Sequence, residues 1–351
     1  MVAAVAGIGT AAPIEARQDE AWELFFSEHY GGSRVAERIW RRSGVERRHG
    51  VAVPWKEDVT GWGTEARMRR FIEEARPLGT DAVRTALGRA GLLPGDVDLF
   101  TVVSCTGYAS PGLDVLVARD LGMRPDLHRL HVGHMGCYAG LPGLATLADA
   151  ASARGAVGVL LCLELSSLHL QPPTEDVDQI VAHALFSDAA AAVAVRPEGP
   201  GLEVVDVVAR TAPDAADLMT WDLTDHGFRM GLSPRVPATL GPLAGDAVEE
   251  LLTRHGVAGS AVAGWAIHPG GPRIVEAIAG SLGLSEDQVG PSRSVLRDFG
   301  NCSSPTVFLV LERLLEERPP SPGDPVVAVA FGPGLTVAAA LLVSSGQSDT
   351  A

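Results

Sequence analysis

The stretch His134-Met135-Gly136-Cys137-Tyr138-Ala139-Gly140 carries one cysteine through a turn of small residues to the start of an apolar run, Leu141 to Ala151. That run predicts a buried helix. A thiol at its start meets unpaired N–H groups and the positive end of the helix dipole. Both favour the thiolate, the form that attacks a carbonyl carbon. Taken alone, the stretch equally describes a small cysteine packed at a strand–helix turn. The rest of the chain decides between the two.

An internal repeat runs through the sequence. Asp81-Ala82-Val83 opens a predicted helix ending near Arg89-Ala90-Gly91, followed by a strand, Leu99 to Cys105. Asp246-Ala247-Val248 opens another ending near Arg254-His255-Gly256, followed by Ala263 to His268. Superposition pairs Asp81 with Asp246, an offset of 246 − 81 = 165. Gly136-Cys137 and Gly300-Asn301, each ahead of an apolar helix, give 301 − 137 = 164. Two separate stretches agreeing within one residue mark a duplication, with residues 1–200 and 201–351 as its halves. Each half reads β-α-β-α-β. The strands Val157 to Leu163 and Val326 to Phe331 are continuously apolar, as strands covered on both faces are. The expected fold is α/β in five layers, α/β/α/β/α, with one central helix from each half buried between sheets. Cys137 opens the first of these, and Asn301 is expected to open its twin. His268 closes a strand, so both halves converge on one place.

The helical readings elsewhere are Glu20 to Gly31, Ser33 to Arg42, and Glu65 to Arg76, with a loop from Gly50 to Gly63. Arg34, Arg38, Arg41 and Arg42 cluster on the second of these, either as a solvated face or as a dock for an anionic ligand. With 46% apolar and 20% charged residues the chain has the composition of a folded globular protein. A net charge of −15 argues against a general nucleic-acid binder. Cys105, Cys137, Cys162 and Cys302 show neither a C-x-x-C pair nor zinc spacing, so no metal is expected. Free thiols, no signal-like N-terminus and no membrane-length apolar run point to a cytoplasmic protein.

Gly-Cys-Tyr-Ala-Gly, Ile267-His268-Pro269-Gly270-Gly271-Pro272, Gly300-Asn301-Cys302-Ser303-Ser304 and Phe331-Gly332-Pro333-Gly334-Leu335-Thr336 follow one another in the order of a known family. Together with Arg47-Arg48, Pro111-Gly112-Leu113-Asp114 and Ala184-Leu185-Phe186-Ser187-Asp188, the chain resembles the type III polyketide synthases, the chalcone synthase-like branch of the thiolase fold. The resemblance implies a homodimer that takes an acyl-CoA starter and malonyl-CoA and needs no cofactor beyond these CoA thioesters. It implies Cys137 as the nucleophile, with His268 keeping it ionised and His268 and Asn301 stabilising the malonyl-derived enolate. Phe186 would guide the malonyl group where the CoA tunnel meets the cavity. Ser166, His169, Trp221, Met230, Ser303 and Pro333 would line that cavity. Arg34, Arg38 and Arg42 would bind CoA phosphates, and Gly270, Gly271 and Arg273 would flank pantetheine. The chain departs from the plant pattern at Ser166 and His169 (threonines), Trp221 (a small residue) and Met230 (a phenylalanine gate).

Other readings compete. A ketoacyl-ACP synthase III-like enzyme also uses Cys, His and Asn in this order, but carries a Gln-Ala-Asn run where this chain has Pro-Gly-Gly-Pro after His268. A non-catalytic thiolase-fold partner subunit would be expected to have lost the nucleophile. A cysteine hydrolase would need a path for water, which nothing in the sequence marks.

Overall fold

The computed structural model describes residues 2–346. β1 (Ala4–Ala11) leads into a short ribbon strand, β2 (Ile14–Arg17), then α1 (Gln18–Ala21) and α2 (Ser27–His29), joined by a π-helical turn at Trp22–Phe26. α3 (Arg34–Arg41) is capped by Ser33, whose Oγ accepts from the Ala36 N–H at 3.3 Å. β3 (Arg47–Gly50) pairs with β2. Then follow α4 (Thr64–Ala90), β4 (Leu99–Val103), α5 (Leu113–Leu121), β5 (His128–Val132), α6 (Gly140–Arg154), β6 (Gly158–Leu165), α7 (Val177–Leu185) and β7 (Asp188–Arg196). The remainder holds β8 (Leu202–Thr211), a hairpin of β9 (Met219–Thr224) and β10 (Gly227–Leu232), α8 (Val236–Arg254), β11 (Gly264–Ile267), α9 (Pro272–Leu282), α10 (Gly290–Phe299), α11 (Thr306–Glu317), β12 (Pro325–Gly332) and β13 (Thr336–Ser344).

Nine strands hydrogen-bond in the order β11-β12-β13-β8-β1-β7-β6-β4-β5. Read outward from the middle, the order repeats: β1-β7-β6-β4-β5 on one side and β8-β13-β12-β11 on the other. Among the described residues β5 has no strand counterpart in the second set. The two sets meet at Ala4↔Glu203 and Val5↔Leu202, with a further backbone bond from Val204 N–H to Ala3 O at 2.8 Å. Alternate residues of the strands face opposite ways, and three buried clusters show the layering. Ala190, Ala192 and Ala194 of β7 face α4, while Ala189, Ala191 and Val193 face a middle layer. Val327 and Val329 face α8 and α9, while Val326 and Ala328 face that same middle layer. Leu141, Leu144 and Leu147 of α6 and Val307, Phe308 and Val310 of α11 fill it. The five layers are therefore α4/α5, sheet, α6/α11, sheet, α8/α9.

Two expectations need correcting. The segments Glu65 to Arg76 and Asp81 to Ala90 are one helix, with Pro77 inside it. Proline removes one helical N–H, but Phe71, Ala75, Ala82, Val83 and Ala86 bury one continuous face, and that packing carries the helix through. Asn301 does not open the second middle helix, because α11 begins at Thr306 with Pro305 at its N-cap position. Asn301 sits in an extended segment bridged to Phe186.

Arginines from both halves meet at Asp298. Its carboxylate accepts from Arg47 (2.8 Å), Arg297 (2.9 and 3.1 Å) and Arg313 (3.2 Å). Burial alone would raise this carboxyl, but the three guanidinium donors outweigh it and pull it down to about 2. A depressed carboxyl stabilises the fold above its unfolded value near 4 and loses that contribution as pH falls toward 2. In acid titrations followed by urea unfolding, Asp298→Asn should remove about 2 kcal/mol at pH 7 and flatten the loss between pH 4 and 2. Parallel curves for variant and wild type would show that Asp298 does not carry this dependence.

Candidate active site

Cys137 lies in a 3-10 turn, Gly136–Tyr138, that runs into α6. The turn is formed against the β12–β13 loop. A Cβ on Gly332 would sit 3.2 Å from the Cys137 backbone N and 2.8 Å from Tyr138 Cδ1, and one on Gly136 would sit 2.6 Å from Pro333 Cδ. Gly136 also has φ +74°. Cys137 is 6% exposed. Burial pushes its thiol up to about 12, the nearby Ser303 hydroxyl acting against it.

His268 directly follows β11 and donates its backbone N–H to Val329 O at 2.8 Å. The residue is fully buried, its ring is packed edge-on to Phe331 at 4.9 Å, and neither ring nitrogen has a partner. Burial pushes the imidazole down to about 3. Phe331 precedes Gly332, so β12 links the imidazole to the cysteine turn. Asn301 is 3% exposed; its Oδ1 accepts from the Ser303 N–H at 2.9 Å, which leaves the amide N–H groups turned the other way. Ser303 itself has φ +56°, a costly conformation for a residue with a Cβ. Its Oγ lies 3.8 Å from Cys105 Sγ. Phe331, Gly332 and Pro333 thus connect His268 to the Cys137 turn, and Asn301 connects through Ser303 to Cys105.

A cleft beside this group is lined by Phe186, Ser166, His169, Trp221 and Met230. Asn301 O accepts from the N–H of Ser187, next to Phe186, at 3.0 Å. Trp221 donates its indole N–H to Cys105 O at 2.8 Å and stacks on Phe228 at 5.7 Å. His169 is not a free cavity group: Nδ1 accepts from Phe228 N–H at 3.1 Å, and Nε2 donates to Thr106 O at 2.6 Å. Burial pushes it down to about 3, so the ring is neutral and fixed in one tautomer. The arginines stand apart from the cleft. Arg34, Arg38, Arg41 and Arg42 line a shallow depression of their own with Glu37. Gly270 packs on Phe331, Gly271 faces Leu185, and Arg273 is exposed.

Three residues near the site were not assigned roles from sequence. Glu164, fully buried, accepts from Cys105 N–H (3.0 Å), Thr106 Oγ1 (2.7 Å) and Ser304 Oγ (2.6 Å), so it ties β4, β6 and the Asn301 loop together. Burial raises its carboxyl. A carboxylate between Leu163 and Leu165 in a fully buried strand was the readable signal. Arg67, also fully buried, donates to Trp62 O (2.9 Å), Val59 O (2.8 Å), Thr60 O (3.3 Å), Leu170 O (3.1 Å) and Leu168 O. Arg48 lines the cleft.

Residues 58–199 match the profile of the N-terminal domain of chalcone and stilbene synthases, and residues 203–345 that of the C-terminal domain. The chain is 32% identical over 348 residues to 3,5-dihydroxyphenylacetyl-CoA synthase of Amycolatopsis balhimycina, covering 96% of this chain and 92% of the relative. It is 30% identical over 355 residues to the Mycobacterium tuberculosis protein Pks18, described as α-pyrone synthesis polyketide synthase-like, covering 96% and 90%. The crystal structure of 1,3,6,8-tetrahydroxynaphthalene synthase from Streptomyces coelicolor superposes with a TM-score of 0.91 at 29% identity, covering 97% of this chain and 99% of that one. These matches and the duplicated five-layer architecture identify the fold as the thiolase fold. The chain belongs to the chalcone and stilbene synthase family, and is an acyl-transferring enzyme of the type III polyketide synthase class.

Proposed function

We propose that Cys137, His268 and Asn301 carry out decarboxylative chain extension from CoA thioesters, residues 1–200 supplying the nucleophile and residues 201–351 the donors. The observation that carries this reading is the pair of unspent donors beside the cysteine turn: a buried imidazole with no partner, and an amide whose oxygen is already engaged. His268 takes the Cys137 proton as the sulfur attacks the starter thioester carbonyl, so no free thiolate–imidazolium pair has to form first. The C–S bond to CoA breaks, leaving the acyl group on Cys137. Malonyl-CoA then loses CO2; the electron pair of the broken C–C bond moves onto the thioester oxygen as an enolate. Hydrogen bonds from His268 and Asn301 hold that oxygen. The enolate carbon attacks the acyl carbonyl, a C–C bond forms, and Cys137 leaves as thiolate. The lengthened chain, now on CoA, returns to Cys137 for another cycle.

Phe186, Ser166, Trp221, Met230, Ser303 and Pro333 bound the space for this chain, with His169 holding the wall from behind. Arg34, Arg38 and Arg42 take the CoA phosphates, and Gly270, Gly271 and Arg273 flank the pantetheine arm. We take the enzyme to be a cytoplasmic homodimer with no cofactor beyond its CoA substrates, releasing an aromatic or pyrone product. The relatives named above span both product types. Among the described residues no helix is long and apolar enough to cross a membrane.

The test is incubation with malonyl-CoA and short, aromatic or long-chain acyl-CoA starters, following CO2, free CoA and product mass, with Cys137→Ala in parallel. Products several acetate units longer than the starter, absent with Cys137→Ala, are expected. Equal product from the variant would remove Cys137 from the mechanism.

A further inference from the structure

The cleft that holds Phe186, Trp221 and Met230 extends under the β2–β3 ribbon and is lined there by Arg48, His49 and Trp55. The Arg48 guanidinium lies 5.0 Å from the centre of the Trp40 ring, with its Nε and Nη2 buried and without an acceptor. The indole N–H of Trp40 is likewise buried and unmatched. The Nε/Nη2 edge is a strong gripping surface. In this protein Arg17, Arg76 and Arg297 use the same edge to hold Asp19, Asp120 and Asp298.

At Arg48 that edge has nothing to hold. Asp188 is the carboxylate facing it, and Tyr30, His183 and Cys302 complete the titratable surroundings. Asp188 already accepts from Val51 N–H (2.9 Å), Ser167 N–H (2.7 Å) and Ser167 Oγ (2.5 Å). Burial lowers the guanidinium only to about 10, so it stays charged at neutral pH. The Asp188 charge balances it locally. What the site lacks is therefore acceptor oxygens, not a further negative charge.

The reaction supplies them. Each decarboxylative condensation leaves a ketone where the acyl carbonyl had been, so the chain gains one carbonyl acceptor for every two carbons. We propose that Arg48 binds carbonyl oxygens of the growing chain where it lines the cleft and so favours longer, carbonyl-rich products over early release. This rests on the reading of the cleft as the space for the extending chain. Arg48 takes no part in starter loading or decarboxylation; it acts on how far the chain grows.

Product mass profiles of wild type, Arg48→Met and Arg48→Lys, made from one starter with excess malonyl-CoA, test this. Cys137 alkylation by iodoacetamide and malonyl decarboxylation are measured on the same samples. Arg48→Met should cut the share of the longest product about tenfold, the worth of a hydrogen bond to a charged group. Shorter products should rise in its place, with alkylation and decarboxylation unchanged, and Arg48→Lys should fall between. Polyketides of unchanged length from Arg48→Met would overturn the role of Arg48 alone. So would a parallel loss of all products and of alkylation in both variants, which would mark Arg48 as structural. A wild type that makes no polyketide would overturn the synthase reading, and this proposal with it.

Discussion

Asn301→Ala is expected to lower kcat for malonyl decarboxylation by about 10²–10³-fold, the usual cost of one donor to a developing oxyanion. KM for malonyl-CoA should change little, because the contact strengthens only as charge gathers on the thioester oxygen. The Ser303 N–H fixes the Asn301 amide orientation, so the remaining N–H groups are already aimed when substrate arrives. The same variant also releases the Ser303 N–H, in a residue held at φ +56°. Asn301→Asp separates the two effects, since it keeps the acceptor for Ser303 and removes the donor. Steady-state kinetics with CO2 detection decide the matter: Asn301→Asp within a few-fold of wild type would exclude Asn301 as a donor to the enolate.

Arg67→Met should be the most damaging single change to stability outside the catalytic group. Five backbone carbonyls, from residues 59, 60, 62, 168 and 170, accept from this one guanidinium. No carboxylate is hydrogen-bonded to it; the carbonyl oxygens act as its solvation shell. Burial lowers it to about 10 without discharging it. Removing it strands those carbonyls in the interior, at a cost of about 4 kcal/mol after partial relaxation. Thermal unfolding should then shift down by roughly 5 °C. A shift of a degree or two would mean that other donors or water reach these carbonyls.

How much of this molecule was legible beforehand can be followed residue by residue. The repeat was legible because 165 residues separate matching helix–strand pairs, and the strand order β1-β7-β6-β4 against β8-β13-β12-β11 repeats with it. Its break was not: among the described residues the second half lacks a strand matching β5, and a period in sequence says nothing of a strand that never pairs. Pro77 read as a boundary because local propensity was the only information available, whereas burial of one face of α4 overrides it. Asn301 looked like a helix cap because Asn ahead of an apolar run usually is one. Here Cys302, the strained Ser303 and Ser304 intervene before Pro305. His169 could be placed beside the cleft from its position in the chain. That both its nitrogens are committed, to Thr106 and Phe228, depends on a hairpin some 60 residues away, and no local pattern reports that. Arg48 and Arg67 were invisible as buried groups for the same reason: an arginine-rich sequence gives no sign of which guanidinium the fold encloses.

The close fit of Gly332 and Pro333 against the Gly136–Tyr138 turn bears on how such a chain can change over generations. After a duplication the two copies are ordinarily free to diverge separately. Here the hairpin tip of one copy is the mould in which the reactive turn of the other is cast. Drift at the tip therefore deforms a residue encoded almost two hundred codons earlier. The mould and its casting have to be inherited together.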